Sequence, residues 1–151
     1  MAAFARGGVE AIAIGAPTGP FGAIYRRTDY AQPYFDTLDR AAVYPVFHVL
    51  AGLTPANGCP LVEAASTRPA AVEALAYRTD DNLTVWLTNL TAGPVSVKLN
   101  LAQRRLSAAV IDAENFARAT TDPDCVDALT QPVPNNSIAL DAYAVARLLA
   151  A

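Results

Sequence analysis

Residues 9–14, Val-Glu-Ala-Ile-Ala-Ile, place the strongest constraint on the fold of this 151-residue chain. The segment is largely apolar and lies between glycines, so it is predicted to form a short strand. Its apolar residues lie on both sides, which is typical of a strand inside a parallel sheet. The remaining sequence offers no partner strands for such a sheet. A lone strand cannot bury both faces, and the sequence therefore looks like the C-terminal end of a larger protein.

The segment up to residue 57 is predicted to be a strand–loop–helix unit. Gly15–Gly22 is rich in Gly and Pro and is predicted to be an irregular loop, followed by a brief extended piece around Ile24. Ala42–Leu53 carries apolar residues at helical spacing and is the best predicted helix, its regular part starting at Pro45. A complete barrel of alternating strands and helices needs about 250 residues, so this unit is part of a barrel at most.

From residue 58 onward the pattern is that of short strands. The predicted strands are Leu61–Ser66, Val72–Arg78, Leu83–Asn89, Val95–Leu101, Leu106–Ile111, Ile138–Leu140 and Tyr143–Leu149, with a long loop at 120–136. Val95–Leu101 alternates cleanly, and it is predicted to form a hairpin with Leu83–Asn89 that has one buried and one wet face. The predicted fold class is mainly β, an antiparallel β-sandwich at 58–151 preceded by a partial (β/α) barrel unit at 1–57.

Composition narrows the functional classes. Hydrophobic residues make up 53% and charged residues 17%, which excludes a disordered chain. The arginines are scattered, so no nucleic-acid partner is expected. No apolar run reaches about 18 residues, so no membrane partner is expected either. The N-terminus does not resemble a signal peptide, which predicts a cytoplasmic location and free thiols at Cys59 and Cys125.

Three motifs carry a resemblance to a known family. They are Thr-Gly-Pro-Phe-Gly at 18–22, Tyr-Pro-Val-Phe-His-Val-Leu at 44–50 and Leu-Thr-Asn-Leu-Thr at 87–91. Their order and spacing resemble the C-terminal part of D-apionate lactonase-like proteins, in which the last β/α unit of a glycoside-hydrolase-like barrel precedes a β-sandwich.

The resemblance implies that different parts of the whole protein have different roles. The two carboxylates used by barrel glycosidases of this type would lie upstream of this chain, so no catalytic residue is expected here. The implied function is the non-catalytic C-terminal portion of a carbohydrate-active hydrolase, completing and capping its barrel. The implied partners are the missing N-terminal barrel segment and, through the parent barrel, a sugar acid or carbohydrate. No cofactor and no metal site is expected.

Four residues are the candidates for substrate binding. In a barrel, the loop after a strand's C-terminal end lies on the active-site face, so Thr18 and the backbone of Gly19 would line a sugar-acid pocket. The alternative is that the loop's glycines serve only a tight connection. Tyr25 and Arg26, with Arg27 beside them, could hold a substrate carboxylate, because a guanidinium offers a bidentate fork.

Other chemically suggestive residues are interpreted as structural. His48 is expected to be hydrogen-bonded between the helix and the sandwich, and Glu10 to lie at the stability face. The acidic loop residues Asp29, Asp36 and Asp39 are interpreted as ordinary turn residues.

The competing hypothesis is a stand-alone β-sandwich module that binds carbohydrate or protein. An exposed aromatic platform made of Trp86, Tyr77 and Tyr143 would favour the module. A bare apolar surface around residues 9–14 and the helix would favour the barrel portion.

Overall fold

Alternating apolar residues build two layers of strands, and short helices add a third layer. The computed structural model describes residues 1–79, 82–101 and 105–150. None of the helices in these ranges is both long and apolar enough to cross a lipid bilayer. In chain order the elements are α1 (Ala2–Arg6), β1 (Ala16–Thr18), β2 (Gly22–Ile24), α2 (Pro33–Asp36), α3 (Val46–Leu53), β3 (Leu61–Val62), β4 (Val72–Arg78), β5 (Leu83–Asn89), β6 (Val95–Lys98), β7 (Leu106–Ile111), α4 (Phe116–Thr121), α5 (Cys125–Ala128), β8 (Gln131–Pro132), β9 (Ser137–Leu140) and β10 (Val145–Ala150).

The strands form a sandwich of two antiparallel sheets. The larger sheet has the spatial order β3-β4-β5-β10-β7-β8, and the smaller sheet pairs β6 with β9. The core lies between them, where Leu140 of β9 and Leu148 of β10 are fully buried. The predicted alternation of β6 and the residues after it is confirmed: Val95, Val97, Leu99 and Leu101 pack in the core, whereas Ser96, Lys98 and Asn100 are exposed. The mainly β sandwich fold class is thereby confirmed.

Helices cover the other face of the larger sheet. On β5, Leu83, Val85 and Leu87 belong to the sandwich core, while Trp86 contacts helix α3 on the opposite face. Ala109 of β7 packs in the same layer against α4 and α5. Because both faces of β5 are buried, the predicted wet face of this strand is wrong. The sequence pattern of β5 alone did not reveal the covering helix.

Helix α3 lies directly on the sheet at Gly52. A Cβ atom at this position would lie 2.3 Å from Cζ2 of Trp86, so a side chain larger than hydrogen does not fit. The carbonyl oxygen of Gly52 accepts a hydrogen bond from the Tyr77 hydroxyl at 2.8 Å. This contact attaches the N-terminal segment to the sandwich.

The predicted hairpin between β5 and β6 is wrong. Strand β5 pairs with β4 on one edge and with β10 on the other, so neither edge is free for β6. The turn at 90–94 instead carries the chain across to the second sheet. Asn89 holds this corner: its Nδ2 donates to the carbonyl oxygens of Gly93, Leu140 and Asp141 at 2.7–3.2 Å, and its Oδ1 accepts from Thr91.

The predicted strand at residues 9–14 is also wrong. The segment has no ladder partner among the described residues, and an extended segment without one is not a strand. Its apolar side chains remain about half exposed, at 48% for Val9, 45% for Ile12 and 49% for Ile14. The following loop, predicted to be irregular, contains the short parallel pair β1–β2.

Two further boundaries differ from the prediction. Helix α3 begins at Val46 and not at Ala42, because the residues before Pro45 are extended and Val43 forms a β-bridge with Ile24. The segment 120–136, predicted to be a loop, contains the end of α4, all of α5 and strand β8. These helices are short and polar on one side, so their Asp, Pro and Asn residues resemble a loop in sequence.

The corner at Asn89 generates a stability prediction. Asn89→Ala should lower the free energy of unfolding by roughly 2–4 kcal/mol, because it removes several buried hydrogen bonds and leaves carbonyl oxygens unpaired. The matched control Asn100→Ala removes an exposed amide and should change the free energy by less than about 0.5 kcal/mol. Urea unfolding followed by circular dichroism measures both. Equal effects of the two substitutions would contradict this role of Asn89.

Candidate functional site

The four predicted site residues lie at one end of the β1–β2 pair. In this parallel pair Thr18 is the register partner of Ile24, so both strands end at the same edge. Gly19 follows the first strand there, and Tyr25 and Arg26 follow the second. Thr18 and Arg26 are exposed, and Tyr25 is half-buried. The structure therefore brings the four residues to one edge, while their role in binding stays a prediction.

Gly19 closes the connection between the two strands. Its φ is +91°, a conformation that strains any residue with a side chain. Its N–H donates to the carbonyl oxygen of Ile24 at 3.1 Å, and its own carbonyl oxygen accepts from Gly22 at 3.0 Å. The tight connection considered in the sequence analysis is present here, and it fixes the position of Thr18 relative to β2.

A carboxylate that sequence reasoning treated as a turn residue orients Tyr25. The Tyr25 hydroxyl donates to Oδ1 of Asp36 at 2.5 Å, and Oδ2 of Asp36 accepts from the backbone N–H of Gln32 at 2.6 Å. These two hydrogen bonds lower the pKa of the Asp36 carboxyl below its ordinary value. The bond to Asp36 raises the pKa of the Tyr25 phenol, so the hydroxyl stays protonated as a donor.

Aromatic rings hold this part of the loop together. The ring of Phe35 stacks on Tyr25 with centroids 5.4 Å apart and packs against Tyr44 at 4.6 Å. The Tyr44 hydroxyl donates to Oε1 of Gln32 at 2.5 Å. Such packed rings add stability beyond the area they bury, and they restrict the rotamers of the tyrosines.

The loop is anchored to helix α4 of the sandwich. Tyr34 packs against Phe116, and its hydroxyl lies 3.0 Å from Oγ1 of Thr120. The backbone N–H of Val43 donates to the carbonyl oxygen of Thr120 at 2.9 Å. The sandwich therefore fixes where residues 25–44 lie, and with them the edge that carries Arg26.

The chemistry available at this edge is that of binding a negatively charged group. Arg26 and Arg27 are exposed, and Arg27 donates from Nη2 to the carbonyl oxygen of Asp36 at 3.5 Å. Guanidinium groups pair with carboxylates in a bidentate geometry. Both oxygens of Asp36 already accept hydrogen bonds, which suits it to positioning and not to proton transfer.

Comparison with known proteins assigns two parts of the chain to family models. Residues 69–148 match the family described as D-apionate lactonase, C-terminal immunoglobulin-like domain. Residues 1–58 match D-apionate lactonase, TIM barrel domain. The chain belongs to the D-apionate lactonase family. Helix α3 and the candidate site fall in the barrel match of this lactonase family. Strands β4–β9 and the first four residues of β10 fall in the immunoglobulin-like match. The search of curated proteins found no match to this sequence. The predicted domain boundary between residues 57 and 58 stays a prediction.

Two solved structures of xylanases are similar to part of this chain. A GH30 endoxylanase from Clostridium papyrosolvens C71 is 22% identical with a TM-score of 0.49, covering 72% of this chain and 28% of that one. Xyn30A, a glycoside hydrolase family 30 subfamily 8 xylanase from Clostridium acetobutylicum, is 19% identical with a TM-score of 0.50, at the same coverages. The second likeness shows the fold alone. The chain spans 28% of the length of each xylanase chain.

His48 has the structural contact expected of it. Its side chain is buried, and Nε2 lies 2.7 Å from the carbonyl oxygen of Ala119, so Nε2 carries the hydrogen. The Sγ of Cys125 lies 3.5 Å from Nε2. Burial raises the pKa of the Cys125 thiol, which disfavours the thiolate that a nucleophile needs. The pair joins α3 to α5, and both side chains are buried.

The other chemically suggestive residues of the sequence do not come together in one site. Asp29, Asp39 and Glu10 are exposed. Trp86 and Tyr77 are buried under α3, whereas Tyr143 is 66% exposed, so the three rings form no platform. Within the described ranges, no three His, Cys, Asp or Glu side chains lie close enough together to hold a metal ion.

Sequence reasoning missed Gln32, Phe35 and Tyr44 and did not predict the contact of Asp36 with Tyr25. One local signal was available: Pro33 occupies the first turn of α2, and an acidic residue in the first turn often bonds a backbone N–H at a helix start. The contact between Tyr25 and Asp36 spans 11 residues and depends on how the loop folds back. No spacing rule predicts it.

Tyr25→Phe tests the link between Tyr25 and Asp36. The pKa of Asp36 should rise toward its ordinary value of about 3.9, measured by carbon NMR of the carboxyl. Because the folded-state pKa is lowered, the bond stabilises the fold above the unfolded pKa, and this stabilisation is lost as pH falls through the lowered value. The stability difference between wild type and Tyr25→Phe should therefore be present at neutral pH and shrink in acid.

The control for this substitution is Tyr30→Phe, since Tyr30 is 71% exposed. It should leave the pKa of Asp36 and the pH profile of unfolding unchanged. An Asp36 pKa that does not respond to Tyr25→Phe would show that the two side chains are not coupled.

Proposed function

We propose that this chain is the non-catalytic C-terminal portion of a carbohydrate-active hydrolase that opens a sugar-acid lactone. It supplies the last part of a barrel wall, one substrate-binding loop and the sandwich that holds this loop in place. The proposed setting is carbohydrate metabolism in the cytoplasm. The observation that carries the proposal is the loop at 25–44, which lies in the barrel match and is anchored to the sandwich.

An uncovered apolar surface supports a barrel neighbour. Phe21 is 78% exposed, and with Ile12, Ile14, Val46 and Leu50 it lines a groove of about 380 Å³. Extended apolar surface of this kind marks an interaction site. The proposed occupant is the preceding strand and helix of the barrel, because residues 12–14 line this groove and residues 9–14 are exposed without a strand partner among the described residues.

The loop supports recognition of a carboxylate, the group that lactone opening creates. Arg26 is exposed at the edge where Thr18 ends its strand. The Tyr25 hydroxyl donates its only hydrogen to Asp36, so its oxygen is left to accept from a sugar hydroxyl. The product of lactone hydrolysis is a sugar acid, and its carboxylate is the group that a guanidinium recognises best.

The acidic residues of this segment support a non-catalytic role. Hydrolysis by a barrel glycosidase needs two carboxylates that face each other across the substrate. Asp36 is held by two hydrogen bonds within the loop, and Glu10, Asp29 and Asp39 are exposed and separate. The proposal places the catalytic groups in the preceding barrel units.

The stand-alone binding module is less well supported. It needs exposed, coplanar aromatic rings on the sandwich, whereas Trp86 and Tyr77 pack under α3. The apolar surface at residues 9–14 and Phe21, by contrast, is the feature expected of a barrel portion.

The decisive experiment compares the 151-residue chain with a longer polypeptide that adds the preceding barrel. The longer polypeptide should hydrolyse the lactone of D-apionate, and the chain alone should not. In the longer form, Arg26→Ala and Thr18→Val should raise the inhibition constant of the product D-apionate about tenfold with a smaller effect on kcat, because these residues bind the sugar acid and do not transfer protons.

Arg40→Ala is the matched control, since the side chain of Arg40 is 66% exposed and pairs only with its neighbour Asp39 among the described residues. It should leave both constants unchanged. Turnover by the short chain, or equal effects of Arg26→Ala and Arg40→Ala, would refute the proposal.

A further inference from the structure

A second cleft lies on the helix-covered face of the larger sheet, away from the β1–β2 edge. It encloses about 300 Å³ between α3, α5 and the sheet. Thr84 of β5 and Leu149 of β10, which are register partners, form its floor beside Arg147. This volume is at the small end of the range for ligand pockets and suits a single small molecule.

Arg147 brings an unused hydrogen-bond donor to this cleft. Its side chain is only 17% exposed, and Nη2 donates to Oδ1 of Asp127. Its Nε is buried and has no acceptor among the described residues. Buried polar groups are nearly always paired in native proteins, and an unpaired donor on a charged group is especially unfavourable. Nε has almost no accessible surface, so a ligand oxygen reaches it only when the Arg147 side chain shifts toward the cleft.

The charges around the cleft restrict what that ligand can be. Asp124 and Asp127 line the cleft at α5, together with Arg147. The two carboxylates would repel an anionic ligand, and the guanidinium would repel a cationic ligand. A neutral molecule with both hydroxyl donors and hydroxyl acceptors satisfies all three groups. The carboxylates accept from its hydroxyls, and Arg147 donates to its oxygens.

The rest of the lining fits the same class. Thr79 and Thr84 contribute hydroxyl groups, and Pro55, Pro123 and Leu149 contribute apolar surface against which C–H groups can pack. We propose that this cleft binds one neutral sugar ring or a polyol of similar size. The proposal is independent of the lactonase proposal, because it concerns a different site and needs no barrel.

Proton–nitrogen NMR of the 151-residue chain tests this site with a matched pair of probes. Methyl β-D-glucopyranoside should cause saturable shifts of the Arg147 Nε–H signal and of the Thr84 and Asp127 amides, with a millimolar dissociation constant. The corresponding glucuronide carries a carboxylate on the same ring and should bind about tenfold more weakly.

Two variants make the assignment specific. Arg147→Lys should weaken binding of the neutral glycoside about tenfold, because lysine lacks the Nε–H fork. Asp127→Asn replaces the carboxylate with an amide of the same shape. It should also weaken binding of the neutral glycoside, and the fold should tolerate it because the Asp127 side chain is 80% exposed. Arg118→Lys is the control, since Arg118 pairs with Asp122 outside the cleft.

The absence of saturable shifts with the neutral glycoside would overturn the proposal. So would unchanged binding in both cleft variants, or tighter binding of the glucuronide, which would indicate an anion site. Loss of lactone hydrolysis in the longer polypeptide would have no bearing on this result.

Discussion

The close contact between Gly52 and Trp86 is the interaction on which the rest of the structure depends. Helix α3 can approach the sheet only because residue 52 has no side chain, and the Tyr77 hydroxyl then bonds the helix carbonyl. This contact buries a face of β5 that a simple sandwich would leave to solvent. It also joins the segment that matches a barrel to the segment that matches an immunoglobulin-like domain.

The same junction explains how the sandwich positions the loop at residues 25–44. This loop contains one short helix, α2, and it is held in place by Thr120 and Phe116 on α4. Arg26 is thus presented on a rigid support, although it lies in a loop. Under the proposed function, the sandwich acts on the substrate through this loop and not through its own surface.

Local sequence patterns predicted the strands well where every second residue packs in the sandwich core. Val72–Arg78, Leu83–Asn89 and Leu106–Ile111 form strands at the predicted residues, because each alternates against a continuous core. Pairing partners were not predictable in this way, since the position of β6 depends on β4 and β10 occupying both edges of β5. Residues 9–14 show the opposite case: their sequence favours a strand, but a strand needs a neighbour that the described residues do not supply. At the site, a loop at Thr18 and an extended piece around Ile24 were predictable, but their pairing was not, and Asp36 depends on a contact across 11 residues.

Under the proposed function, the apolar segment 9–14 completes a barrel begun by preceding units. This can be tested by hydrogen exchange of the amides of residues 9–14, in the 151-residue chain and in a longer polypeptide with the preceding barrel. We expect fast exchange in the chain alone and protection at least about 100-fold greater in the longer polypeptide, as for a paired strand. Fast exchange of these amides in both forms would contradict it.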